Sequence, residues 1–210
     1  LTDPGRYQNM TQTLASHISA FKRDGVEIVT GVVIPPDMKT FLTQARQQGF
    51  RPKVVSVAKA LLYPATVEAV GDLAEGVTTE VWWSPSHPFS SSLSRQSAKA
   101  LADSYEAATK KQWTQPIGFS HALFELAGDA LRRTKDVGSK AAIRNAVAAT
   151  NLQTVVGPVK FGGAGPMRNV SKTPLVGGQW VKAPKTKYEL VIVNNQSAPA
   201  IPTGGSVRLL

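Results

Sequence analysis

Helical stripes and short apolar runs take turns three times between Met10 and Trp83, and few folds accept that pattern. Met10, Leu14, Ile18 and Phe21 fall at the spacing of one helix face, and Gly25 ends that helix. Residues 26–34 follow as a strand, apolar almost throughout after Glu27, which predicts a central parallel strand covered on both faces. Pro35 and Pro36 stop it. Asp37 then caps a second helix with the stripe Met38, Phe41, Leu42 and Ala45, closed by Gly49. Residues 53–58 form a second strand. Pro64 suits the first turn of a third helix, which has Val67 and Val70 on its inner face and ends at Gly71. Residues 77–83 form a third strand. Strands separated by helices at this spacing require right-handed crossovers, so the expected class is α/β with a parallel sheet.

Beyond Ser84-Pro85-Ser86-His87-Pro88 the pattern turns mostly helical. Helices are predicted over 94–109 (Ala98, Leu101, Tyr105), over 118–132 (Leu123, Leu126, Ala127, Ala130 and Leu131 inward) and over 139–150 (Ile143, Val147). Strands are predicted over 154–161, 179–182 and 188–193, and a proline-, glycine- and serine-rich tail from Ser197 is expected to wander over the surface. The character changes near Trp83–Pro88 and again near Gly157–Pro158. Two such crossings imply two lobes with a hinge: 1–82 in one, 83–156 in the other, and 157–210 as a last crossing, edge strands and tail.

The 210 residues suffice for one large domain or parts of two lobes. At 42% hydrophobic and 18% charged residues, a packed core is expected. Lysine and arginine outnumber aspartate and glutamate 24 to 14, for a net charge of +10. The cations are scattered without a run of five, and no nucleic-acid-binding motif accompanies them, so a solvated basic surface is expected and a nucleic-acid partner is not. Without cysteine there are no disulfides, thiol catalysis or zinc–thiolate sites. No stretch approaches the roughly 20 apolar residues of a membrane span. The chain opens Leu1-Thr2-Asp3-Pro4-Gly5, without leader or initiator methionine, and is expected to be processed or part of a longer chain.

Enzyme templates are missing: there is no G-x-S-x-G, Walker loop, H-E-x-x-H or G-x-G-x-x-G. Gly162-Gly163-Ala164-Gly165 leads into Pro166 rather than a helix, so it suits a turn better than a phosphate cradle. His17, His87 and His121 lie far apart, with no carboxylate at ligand spacing. Neither metal nor cofactor is expected, and a binding role is favoured over catalysis. In open parallel sheets, ligands sit beyond the carboxyl ends of the strands. Those ends are Ile34-Pro35-Pro36, Ala58-Lys59-Ala60-Leu61-Leu62-Tyr63 and Trp82-Trp83, with Phe119 and His121 at a helix start as weaker candidates. Apolar and aromatic groups beside one cation suit a planar apolar ligand with an acid group, stacked on an indole and paired to Lys59. Both tryptophans also suit hinge packing, and as alternating strand residues only one of them can face a cleft. Lys59 suits a solvated surface amine slightly better than a ligand partner.

The strand ending at Pro35-Pro36-Asp37-Met38, the segment Phe41-Leu42-x-Gln44-Ala45-Arg46-x-x-Gly49, Gly71-Asp72-x-x-Glu75-Gly76-Val77, Thr154-Val155-Val156-Gly157-Pro158-Val159 and Gln179-Trp180 occur in a recognisable order. Together they resemble the type I periplasmic solute-binding proteins of ABC transporters, of the leucine/isoleucine/valine-binding kind. The resemblance implies two α/β lobes joined by three crossings and closing on a solute in the cleft, an ABC permease as partner, and export to the periplasm. It covers only the later part of that fold, so a missing N-terminal segment of the same protein is a further implied partner. Without it, the helical stretch 84–155 should expose an apolar face. Amino-acid-binding members place an acid after the strand matching 53–58, to pair the ligand's ammonium. Here that stretch is Ala58-Lys59-Ala60, which implies an aromatic or other apolar carboxylate, such as a benzoate or cinnamate. A sensor domain of the same fold and branched-chain amino acid binding are the alternatives.

Overall fold

The computed structural model describes residues 1–163 and 167–210, and the chain divides into two compact units. The expected turn at Gly162-Gly163-Ala164-Gly165-Pro166 falls mostly on 164–166, outside the described residues.

The first unit comprises Leu1–Val81, Val176–Asn194 and Thr203–Leu210. Its elements are α1 (Ala15–Arg23), β1 (Ile28–Val32), α2 (Pro35–Gln47), β2 (Val54–Ala58), α3 (Pro64–Val70), a 3-10 turn (Gly71–Ala74) and β3 (Thr78–Val81). Two later strands complete it, here called β6 (Val176–Lys182) and β7 (Tyr188–Asn194), after the β4 and β5 given below. The sheet order is β1-β2-β3-β6-β7, parallel through β1–β3 and antiparallel beyond. Thr78 and Thr79 reinforce the short β2–β3 pairing, each hydroxyl donating to a carbonyl of β2 (Val55 and Val57, both 3.0 Å).

Val29, Val55 and Val57 point to one face, which α1 and α2 cover with Leu14, Ile18, Met38, Phe41, Leu42 and Ala45. The strand over 26–34 is shorter than expected and is not central. β1 is an edge strand whose other face is open, with Ile28 and Val32 64% and 73% exposed. β-branched runs report extended backbone and say nothing of how many neighbours a strand has.

Two local readings also change. Met10 lies outside α1, exposed and at φ +65°, and its N–H donates to Asp37 (3.3 Å). Asp37 is no cap: α2 begins at Pro35 after an extended Ile34, because proline is preorganised for a first helical turn. Asp37 instead lies buried inside that turn, where a carboxylate suits the helix dipole.

The second unit comprises Trp82–Leu175 and Asn195–Pro202. The expected third segment is therefore shared between the units, with 157–175 and 195–202 in this one. It contains α4 (Ala98–Thr109), α5 (Gln115–Arg133), α6 (Lys140–Ala148), β4 (Asn151–Thr154) and β5 (Gly157–Lys160). The predicted strand over 154–161 is a hairpin: β4 and β5 pair antiparallel across Val155-Val156, with Gly157 at φ +104°. Both valines of the turn are buried, so an apolar run here marks a buried turn rather than a continuous strand.

The core of this unit gathers around Trp83, with Ala98, Ala102, Ala122, Val155, Val156 and Val159. Gly118 of α5 admits the indole, since a Cβ there would lie 2.3 Å from the Trp83 ring. α5 therefore turns its small residues inward. Leu123, Ala127 and Leu131, expected to face inward, are exposed, as is Phe124; Ala130 is buried and Leu126 packs against the core. The tail is also tied down rather than wandering. Ile201 is fully buried in the second unit, and in the first Gly204 N–H donates to Ile192 (2.8 Å) and Leu210 N–H to Lys53 (3.0 Å).

Candidate functional site

In the first unit, the carboxyl ends of β1 and β2 are joined by a bond from Val33 N–H to the Ala58 carbonyl (3.4 Å). β1 leads through Ile34 into Pro35 of α2, and both side chains are half-buried. β2 ends in a tight turn: Ala60 N–H returns to the Ala58 carbonyl (2.9 Å) across Lys59, which sits at φ +71°. That conformation is strained for a residue with a Cβ, and such strain gathers at functional sites. Ala60, Leu61 and Leu62 bury their side chains and anchor the far side of the turn, while the Lys59 side chain stays exposed. Ala58 is half-buried beside it.

The turn aims the Lys59 N–H at Glu80 of β3, whose Oε1 accepts it at 3.1 Å. A carboxylate therefore stands at this strand end, supplied by the neighbouring strand. The residues after β2 contain none, so a reading along the chain misses it. The signal was available: Glu80 is the acidic position near the carboxyl end of the third strand, and parallel neighbours align their carboxyl ends.

In the second unit, the adjacent tryptophans separate. Trp83 is fully buried and meets Trp113 edge-on (centroids 6.0 Å, 82°), so its indole is core. Trp82 is half-buried, lies edge-on to Phe119 (5.9 Å, 76°), and donates its backbone N–H to Oε1 of the buried Gln115 (2.8 Å). α5 begins at Gln115, so Phe119 sits in its second turn rather than at its start. His121 is not brought to this aromatic pair. Two residues along a helix do not share a face, and its Nε2 lies 2.7 Å from Oγ of the buried Ser91 instead.

Two buried polar groups here were not anticipated. The Glu125 carboxylate accepts from Ser92 N–H, Ser92 Oγ (2.9 Å) and Val155 N–H (3.0 Å), holding the loop before α4 and the hairpin to α5. His87 accepts at Nδ1 from Ser84 N–H (3.1 Å), and burial pushes its pKa down to about 4, opposed by the Trp82 carbonyl.

Among the described residues, no three His, Cys, Asp or Glu side chains gather as metal ligands would, and no helix is long and apolar enough to cross a membrane.

Crossover-linked parallel strands, with a strained, charge-bearing turn beyond their carboxyl ends, define an open-sheet α/β protein. The family model described as periplasmic binding protein matches residues 2–179, and the chain belongs to that family. A leucine-binding protein from Thermotoga maritima superposes with a TM-score of 0.72 at 16% identity, over 90% of this chain and 51% of its own. A leucine-, isoleucine-, valine-, threonine- and alanine-binding protein from Brucella ovis gives 0.71 at 17%, over 94% and 50%. An ABC transporter solute-binding protein from R. palustris, in complex with benzoate, gives 0.62 at 15%, over 94% and 49%. The chain thus spans about half the length of these structures, which share its fold. No curated protein matches the sequence.

Proposed function

We propose that this chain is the later part of the solute-binding component of an ABC-type importer, exported to the periplasm and delivering a small organic carboxylate to a membrane permease. The observation that carries the reading is the Lys59 turn. A strained backbone presents an exposed cation beyond the strand ends, where open-sheet proteins take their ligands. The likeness to a benzoate-bound relative supports an aromatic acid as the solute. Trp82 with Phe119 is the aromatic contact we assign to the second unit; Trp83, as core, is not one. The exposed Leu123, Phe124 and Leu131 of α5 support a further segment of the same protein that covers this face.

Glu80 favours a second reading. A carboxylate beside the Lys59 turn is suited to an ammonium, and the relatives from Thermotoga maritima and Brucella ovis are named for amino acids. Calorimetric titration of the intact protein with benzoate and with leucine separates the two. If benzoate binds and Lys59→Ala weakens it roughly 10- to 100-fold, the aromatic-acid reading stands. If leucine binds, benzoate does not, and Glu80→Gln abolishes the affinity, the solute is an amino acid and the role of Lys59 fails.

A further inference from the structure

The first unit carries a second concavity at the other end of its parallel strands. A groove of about 580 Å3 opens where Arg51 and Pro52 lead into β2 and Gly76 leads into β3, and it shares no residue with the Lys59 turn. Its volume lies within the range of small-molecule sites, about 300–1,000 Å3. Phe41, Leu42, Phe50 and Val55 form its floor, and each is buried.

Three guanidinium groups line it: Arg46 from α2, Arg51 from the turn before β2, and Arg208 from the tail. Among the described residues, none of the three has an acidic partner. Two carboxylates, Asp72 and Glu75, also line the groove, but Lys182 holds both, at 3.1 and 3.2 Å. The hydrogen bond from Lys182 keeps the Asp72 carboxyl below the usual carboxylate range, and one lysine balances one of the two carboxylates, which leaves a single negative charge against three arginines. The uncompensated charge in the groove is positive.

Arg208 is placed there by a specific device. The buried Gln179 side chain donates to the Arg208 carbonyl (2.8 Å) and to the Gly76 carbonyl (2.7 Å), while its oxygen accepts the Arg208 N–H (3.0 Å). The tail is therefore bound as a wall of the groove. It does not plug it: Leu209 and Leu210 remain 64% and 48% exposed.

We propose that this groove binds an anionic amphiphile, with its oxyanion head on the three arginines and its apolar body on Phe41 and Phe50. Planar guanidinium groups suit carboxylate or phosphate heads alike, and the aromatic floor takes the chain. The site is independent of any solute held at Lys59.

The test is calorimetric titration of the intact protein with octanoate, octyl phosphate, octanol and inorganic phosphate. Octanoate or octyl phosphate should bind, with octanol and inorganic phosphate each weaker by at least roughly tenfold. The ratio between octanoate and octyl phosphate identifies the preferred head. Arg46→Gln with Arg208→Gln should weaken binding by roughly tenfold or more without lowering the melting temperature, since both side chains are exposed. Lys59→Ala should leave it unchanged. No binding of either anionic amphiphile overturns the proposal. So does binding that survives loss of the two arginines, or that disappears with Lys59→Ala. The solute reading at Lys59 can fail separately, because Lys59→Ala and the arginine substitutions report on different sites.

Discussion

The two units spend their large apolar side chains in opposite directions. In the first, the bulky residues of α2 turn in on the sheet, Met38, Phe41 and Leu42 all being buried, and within its helices and strands the exposed large apolar residues are Ile28 and Val32 on the edge strand β1. In the second, α5 gives the core Gly118, Ala122 and Ala130, and turns Leu123, Phe124 and Leu131 to solvent. A helix with apolar groups on two sides is assigned an inner face by what it must fit against. Here that is one indole: Trp83 needs space more than it needs bulk. The large residues on the other side of α5 are then left exposed.

The largest effect that would sharpen this contrast is at Trp83. Trp83→Ala empties the centre of the second unit and should cost about 3–5 kcal/mol, whereas Trp82→Ala should cost about 1 kcal/mol or less. Chemical denaturation of the two variants checks it. Equal losses would mean that the neighbouring indoles share the core and that Trp82 is no candidate for contacting a solute.

The next effect is a pH dependence confined to the second unit. The His87 pKa is held at about 4, against an ordinary value of 6.5, chiefly because burial disfavours the charged ring. Above about pH 6.5 the ring is neutral folded or unfolded, and the stability it allows is fully present. As pH falls from 6.5 to 4 the unfolded chain takes up the proton first, so stability drops by up to about 1.4 kcal/mol per pH unit. The total loss is about 3 kcal/mol, complete below pH 4. Denaturation midpoints between pH 7.5 and 4 should show this fall, and His87→Gln should remove it. A fall of the same size in the variant would assign it to other groups.

The same contrast explains what could be read in advance. The alternation of helix and strand through β3 was legible because each element carries its own period, and Gly25, Gly49 and Gly71 punctuate it. The edge position of β1 was not, since sheet order depends on strands such as β6, about 100 residues away from β3. At the candidate site, Lys59 stood out as a lone cation among apolar residues, and the structure adds its left-handed backbone. Glu80 was hidden because its neighbour is across the sheet and not along the chain. The inner face of α5 was misread for a physical reason: periodicity finds a stripe of large apolar residues, but a buried tryptophan selects the small ones. Glu125 and Gln115 look like solvent-facing helix residues until the loops and turn that donate to them are in place.

The smallest effect expected in this chain is also the one that decides what the outer face of α5 is for. Phe124 is 70% exposed and Leu123 69%, so Leu123→Ser with Phe124→Ser should shift the stability of the 210-residue chain by no more than about 0.5 kcal/mol each. If the intact protein covers this face with a further segment, the same pair should there cost about 1.5–3 kcal/mol per side chain, the value of burying a large apolar group. The comparison is between the two backgrounds and not between variant and wild type, so effects on the unfolded chain largely cancel. A large loss in the intact protein with almost none in the shorter chain assigns the face to intramolecular packing. Equally small losses in both leave Leu123 and Phe124 open to solvent in the intact protein too, and remove the support they lend to a covering segment.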